Sequence, residues 1–343
     1  MEERYIAASN SCRGFMGYFG EIFDPSKLEH VYIIKGGPGT GKNMFMRCIA
    51  KAAEKKKMKV VYYYCSSDQN SLDGIIIGGR IAVLDGTAPH TADASLPGEA
   101  EDIVDLGVFW RMEELSEKRD EIESLNAEKK KHYSMAYRYL AAYHVISETA
   151  RVLTSPIIDR EKLRKSVSSV FKGVKSGTKY RPSIAICDSV GMEGRVRFES
   201  LENKAKQIYS IADLFDTAHE YLSEAANEAM LKKKAVTLSY DPINSDRLDA
   251  LYLEEEEILL TRSDVPNAKV ISMSRFIPQR ALAPYRSSLK NAMKLRELML
   301  DETLSELAAV KKVHFEIEEI YKSAMDFPAK EKFTKDFLKK LSL

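Results

Sequence analysis

The sequence predicts an α/β protein built twice, each copy a parallel sheet flanked by helices and carrying a long helical arm. Three observations predict it. An apolar strand runs straight into a glycine-rich turn and a helix at His30–Asn43. Short strands alternate with helix through the first hundred residues. The same order of elements then returns at a shift of about 176 to 177 positions.

Composition sets the outer limits. At 343 residues the chain is long enough for one large or two ordinary domains. Its 44% hydrophobic and 30% charged residues suit a globular core, and a formal charge of +1 removes any general attraction to nucleic acid. No run of about 18 apolar residues occurs, so no membrane association is expected. The start, Met1-Glu-Glu-Arg-Tyr, does not read as a secretory leader, and a soluble, cytoplasmic protein is the expectation. Cys12, Cys48, Cys65 and Cys187 are far apart and form no Cys-x-x-Cys pair, which suits a reducing compartment and argues against a structural zinc site.

In chain order, the periodicity predicts a strand at Val31–Ile34, a turn, and a helix from Asn43 to Lys56. Strands at Lys59–Tyr64 and Ile81–Leu84 follow. From Phe109 the chain becomes charged and helical, with Leu115, Ile122, Leu125, Ala136, Tyr139, Tyr143 and Ile146 on one stripe and Trp110 as a packing anchor at the base. In the second half Ile208–Ile211 falls on Val31–Ile34, Leu248-Asp249 on Leu72-Asp73, and Ile258–Leu260 near Ala82–Leu84. A second arm runs from Ser287 to about Ala324, with Met293, Leu300, Leu307, Val310, Ile317 and Tyr321 at heptad-like spacing. The expected division is a first domain, 1–155, with an arm at about 109–150, and a second, 156–343, with an arm at about 287–325. The arms are expected to bury their stripes against each other. The alternative is a protein partner or self-association through them.

The chemistry sits in Gly36-Gly-Pro-Gly-Thr-Gly-Lys42, a Gly-x4-Gly-Lys spacing between strand and helix. Glycines here allow successive N–H groups to point inward, and the helix adds its positive dipole end, so a nucleotide triphosphate is the expected guest. The binding residues are Gly37, Pro38, Gly39, Thr40, Gly41, Lys42, Asn43 and Met44, with Lys42 the cation for the outer phosphates. Asn43 stands where a Ser or Thr hydroxyl usually ligates Mg2+. Its carbonyl oxygen is a poorer ligand, and Mg2+ binding should be weak. Asp85 ends the apolar run Ile81–Leu84 and is expected to hold metal and organise water, with Asp68 after the Val60–Tyr64 strand as a candidate for orienting water or accepting a proton. Asp73, Thr87 and His90 are lesser candidates, His132, His144, His219 and His314 show no metal-ligand spacing, and Arg13, Arg80, Arg275 and Arg280 are left without a role. The second copy of the loop, Ala212–His219, has lost its glycines, carries Asp213 and Asp216, and places His219 against Lys42; one nucleotide site, in the first half, is expected.

At Gly36–Lys42 the chain resembles the P-loop NTPases, and Ile81–Asp85 resembles their Walker B motif. No guanine-reading Asn-Lys-x-Asp is present, so the resemblance is to the ATPase branch. The longer wording, His30–Lys35, Cys65-Ser-Ser-Asp68, Ser71-Leu-Asp-Gly74 and Leu84–His90, is similar to a little-studied bacterial family of tandem P-loop ATPase-like proteins. The resemblance implies two P-loop-type domains, ATP and Mg2+. The expected function is ATP binding with slow Mg2+-dependent hydrolysis at one N-terminal site, coupled to movement of domains or arms. The alternatives are a nucleotide-responsive scaffold without hydrolysis and, below it, a small-molecule kinase using Asp68 or Asp85.

Overall fold

The computed structural model describes residues 2–343. The first half runs β1 (Glu3–Ile6), a hairpin β2 (Ala8–Ser11) and β3 (Gly14–Gly17), α1 (Phe19–Ile22), β4 (His30–Lys35), α2 (Lys42–Lys55), β5 (Val60–Tyr64), β6 (Leu72–Ile77), β7 (Ile81–Asp85) and β8 (Glu101–Asp105). A short α3 (Met112–Glu117) leads into the first arm, α4 (Arg119–Thr154), and α5 (Arg160–Val170) follows. The second half runs β9 (Arg181–Ile184), hairpin β10 (Asp188–Gly191) and β11 (Gly194–Arg197), α6 (Ser200–Lys204), β12 (Gln207–Ala212), α7 (Ala218–Leu231), β13 (Ala235–Tyr240), β14 (Leu248–Leu253), β15 (Ile258–Thr261) and β16 (Lys269–Ser272). After α8 (Gln279–Leu282) comes the second arm, α9 (Arg286–Ser323), and α10 (Phe327–Lys340) ends the chain.

The two sheets have the same topology. The first is ordered β1-β5-β6-β7-β4-β8 and the second, read from its other edge, β9-β13-β14-β15-β12-β16. Even a local irregularity repeats, between Tyr63 and Tyr64 against β6 and between Ser239 and Tyr240 against β14. Two similar halves are therefore a feature of the fold.

The sheets are mixed, which corrects the expectation of a parallel one. β6 is antiparallel to β5 and β7, and β14 to β13 and β15, while the other pairs are parallel. The cause is connection length: Gly78–Arg80 is too short for a crossover, so β7 must reverse on β6. β6 was hidden in the sequence because its start, Leu72-Asp-Gly74, reads as a turn. Gly74 is needed there because the Phe23 ring would lie 2.5 Å from an added Cβ.

Side-chain alternation builds the layers. On β4, Tyr32 and Ile34 join Phe45, Met46, Ile49 and Ala53 of α2 in one core, while Val31 and Ile33 face the other way. On β14, Leu251 and Leu253 face Tyr221, Leu222 and Ala225 of α7, while Ala250 and Tyr252 turn toward the first sheet. The two sheets thus share a core that includes Ile33, Leu84, Tyr252 and Leu259. The longer helices cover the outer faces, while each inner face is buried by the other half together with the short α1 and α6, whose Phe19, Ile22 and Leu201 join that core.

The arms lie antiparallel along each other, burying Ala136 and Leu140 of α4 and Leu307 of α9 in one cluster. At about 1.5 Å per residue, each is roughly 55 Å long. They cross between the halves in opposite directions. α4 delivers Ala150, and then Leu163 and Val167 of α5, to the core over the second sheet. α9 returns, and α10 places Phe337 in the core over the first, its ring 5.0 Å from Tyr32 and 5.1 Å from Phe45. The C-terminal helix therefore belongs by packing to the first half, and supplies there what α5 supplies to the second. Asp159 and Asp326 cap α5 and α10 in the same way, accepting from the third residue on.

Candidate functional site

The carboxyl ends of β4, β5 and β7 and the start of β6 meet at one end of the first sheet, where the glycine loop joins β4 to α2. Gly39 and Gly41 hold φ of 73° and 77°, values that cost a residue with a Cβ about 1–2 kcal/mol. At Gly39 space is as restrictive as angle. A Cβ on Gly39 would stand 2.8 Å from the Glu318 carbonyl oxygen and 2.9 Å from the Lys322 nitrogen of α9. On Gly41 it would meet only the ammonium tip of the Lys330 side chain of α10, which can move aside, so there the angle is the stronger restriction. Trp110 lies over Gly37 and packs against Tyr321. Thr40, fully buried, donates from Oγ1 to the Gly37 carbonyl at 2.9 Å and fixes the loop from inside.

Lys42 opens α2 and folds into the loop. Its ammonium donates to the carbonyls of Gly36 (2.7 Å) and Gly37 (3.0 Å) and stands 3.6 Å from Asp85. The Asp85 Oδ1 accepts from the backbone N–H and hydroxyl of Thr87, at 2.9 and 2.5 Å, while Oδ2 faces Lys42. Lys35 holds the segment after β7 by donating to the carbonyls of Gly86 and Ala92 and to Asp93. Beside this lies a cleft of about 690 Å³ lined by Gly36, Gly37, Gly86, Thr87, Asp105 and Trp110, among others. That volume is within the range of small-molecule sites. Val108 and Met112 also line it and are exposed, giving it an apolar wall.

The other predicted residues fall as follows. Asn43 is committed to the β5–β6 connection: Nδ2 donates to the Asn70 carbonyl, and Oδ1 accepts from Arg47 (2.9 Å) and the Leu72 N–H (3.3 Å). Asp68 closes its own turn, accepting from the Asn70 N–H and the Ser71 hydroxyl. Pro38 is half-buried in the loop, and Met44 is exposed on the first turn of α2. Lys42 and Asp85 are thus brought together, while Asn43 and Asp68 are spent on neighbouring backbone.

Behind Asp85 lies a group that sequence spacing did not reveal. Cys65, Asp73 and His90 place donor atoms within 4.8 Å of one another. Asp73 is 3% exposed, its Oδ1 lies 3.5 Å from His90 Nε2, and its Oδ2 has no hydrogen-bond partner. Burial, and then the charge of Asp85, push the Asp73 carboxyl well above the usual carboxylate range. Burial lowers His90 to about 4, so its ring is neutral at pH 7. The ring is wedged against Phe15 and Phe19, with centroids 4.9 Å from each. Three positions 8 and 17 residues apart form no local motif; only their shared place after or at the start of strands on one sheet edge linked them. Lys330 and Glu318 were equally illegible, because they arrive through the other half's arm.

The second half builds the corresponding end differently. Its loop, Asp213–Thr217, has five residues against six in Gly36–Gly41. Asp213 accepts from the N–H groups of Asp216 and Ala218, so a side-chain carboxylate occupies the helix N-terminus. Buried positions 45, 46, 49 and 53 of α2 match 221, 222, 225 and 229 of α7, a shift of 176. Ala218 therefore stands opposite Lys42, and His219 opposite Asn43, correcting the expected pairing by the one residue the shorter loop lacks. Asp216 is ion-paired with Arg247, with Arg296 at 3.2 Å and Arg262 at 3.5 Å. The remaining cavity, about 10 Å³, has room for about one water.

Among the described residues, no helix is long and apolar enough to cross a membrane. Comparison with protein-family models, with curated proteins and with solved structures finds no match for this chain.

Proposed function

We propose that the first half binds ATP at the glycine loop and hydrolyses it slowly with Mg2+, and that the second half binds no nucleotide. The observation that carries this reading is the state of Lys42. Its ammonium is held at the N-terminus of a 14-residue helix by the carbonyls of Gly36 and Gly37, and those two glycines line the open cleft. A cation so placed can exchange those carbonyls for phosphate oxygens, and the helix dipole favours the same charge.

The donors fit Mg2+ only in part. Asp85 Oδ2 accepts no hydrogen bond and would hold the ion, whereas Asn43 would first have to release Arg47 and Leu72. When bound, Mg2+ supplies charge neutralisation on the outer phosphates. Lys42 orients those phosphates, and Trp110 and the exposed Val108 and Met112 form a wall on which a base can rest. The contacts of Gly39 with α9 and of Lys330 with the Gly41 carbonyl (3.0 Å) link the loop to the returning arm. A change in loop shape on binding would therefore be felt by α9 and α10.

Calorimetry with ATP and GTP, with and without Mg2+, followed by phosphate release in the same sample, tests the reading. Binding of ATP with slow release supports it; absence of binding removes it. The commitment of Asn43 favours a second reading, retention of nucleotide without turnover. Asn43→Thr separates the two, since a gain of phosphate release in that variant marks the wild-type loop as a holder of nucleotide.

A further inference from the structure

We propose that Cys65, Asp73 and His90 bind one Zn2+ ion in the first half. A thiol, an imidazole and a carboxylate are the three side-chain types that bind zinc, and a borderline-soft divalent ion suits the mixture better than Mg2+ or Ca2+. Their donor atoms already lie within 4.8 Å of one another, so rotamer adjustments bring them to the 2.0–2.3 Å bond lengths typical of zinc. The site is shaped before the ion arrives. Asp73, on β6, is almost fully buried with Oδ2 unpartnered; His90 Nδ1 is also buried without a partner; and Phe15 and Phe19 fix the imidazole. A carboxylate oxygen and a ring nitrogen both withheld from water and from hydrogen bonds are costly unless something binds them.

The second half offers an internal control. Strand register places Asp241 opposite Cys65, Asp249 opposite Asp73, and Arg262 opposite Asp85. There the carboxylates have cations of their own: Arg262 donates to Asp241 at 2.7 Å and Arg197 to Asp249 at 2.9 Å. The hairpin position nearest to Arg197 in the first half is Gly17, which has no side chain to offer, and Asp85 adds negative charge where Arg262 adds positive. The second half thus supplies guanidinium groups where the first leaves room for a metal cation. Three protein ligands leave a fourth coordination position. The loop from Gly86 to Thr91 that carries His90 also lines the cleft beside the glycine loop, which gives the ion a route in.

This inference does not depend on nucleotide binding and is tested without it. The full chain, stripped of metal, is titrated with Co2+ while near-ultraviolet absorption is followed, and Zn2+ is measured by competition with a chromophoric chelator. The expected result is one ion per chain with a thiolate-to-cobalt charge-transfer band. Cys65→Ser should abolish the band and weaken Zn2+ by about 100-fold or more, and His90→Gln should weaken it similarly while keeping the band. Cys12→Ser, far from the three ligands in the sequence and outside the cluster, should leave both readouts unchanged. Failure of the wild-type chain to take up a stoichiometric ion overturns the assignment. So does a band that persists in folded Cys65→Ser, or Zn2+ affinity unaltered in both folded ligand variants.

Discussion

At the same end of two sheets of the same topology, Lys42, Asp73 and Asp85 of the first half stand where Ala218, Asp249 and Arg262 stand in the second. The first set leaves a lysine resting on loop carbonyls, a carboxyl with an unpartnered oxygen, and a cleft of about 690 Å³. The second set closes on itself. Asp213 caps the helix, three arginines converge on Asp216, and a cavity of about 10 Å³ remains. The comparison teaches that a ligand site and an internal ion-pair network can be alternative solutions to one electrostatic problem. A helix N-terminus and a row of strand ends need an anion and its counter-cation, which either the chain or a ligand can provide.

The contrast can be broken by removing one charge from each side. Asp216→Ala leaves Arg247, Arg262 and Arg296 each short of a buried partner, and should cost about 3–5 kcal/mol in urea unfolding. Asp85→Asn, which removes a negative charge close to Asp73, should change stability by less than about 1 kcal/mol while impairing phosphate release. Equal losses from both would mean that the first end is as self-contained as the second.

Next in size is Lys42→Ala. Loss of a charged hydrogen-bonding group should weaken ATP by about 1.5–3 kcal/mol, or roughly 10- to 150-fold in calorimetry, with little effect on unfolding. His219→Ala should leave ATP affinity as it is; a matching loss there would place nucleotide in the second half as well.

Gly39→Ala sharpens the link between loop and arm. The φ of 73° alone costs about 1–2 kcal/mol, and the new Cβ meets α9 backbone, so both stability and ATP affinity should fall. Unchanged affinity would separate the loop's shape from the position of α9.

The smallest effect expected is one of pH. Burial, then Arg247, lower the pKa of His219 below its ordinary 6.5, opposed by Asp216 and Glu220, with Arg262 lowering it further. A histidine depressed in the folded state contributes stability that is present above about pH 6.5 and is lost as pH falls toward the folded value, because the unfolded chain takes up the proton first. His219→Gln should flatten that part of the stability–pH curve. A slope unchanged between pH 7 and pH 5 would assign it to other groups.

How much of this was legible depends on range. The strand into Gly36–Lys42, the helix after it and the Ile81–Asp85 strand were readable because period and turn chemistry are local. β6 was not, since a strand opening with Asp-Gly relies on Phe23 and on its two neighbours to hold it. Of the candidate site, the sequence named Lys42 and Asp85, and the fold brings the two within 3.6 Å of each other. The sequence marked Asn43 as the weak point, but its distant partners, the Asn70 carbonyl and the Leu72 N–H, come only from the fold.

The sequence by itself determined what short-range physics writes into a chain: the glycine loop, the alternation of strand and helix, the long amphipathic arms, and a second copy of the strand, helix and arm order without the glycines. Tertiary structure alone decided that the sheets share a core, that α10 closes over the first half, that Gly39 and Gly41 touch α9 and α10, and that Cys65, Asp73 and His90 converge. The reason is physical. Local backbone preference and hydrophobic period act over a few residues, whereas the meeting of strand ends and the exchange of helices between halves depend on which buried faces find each other.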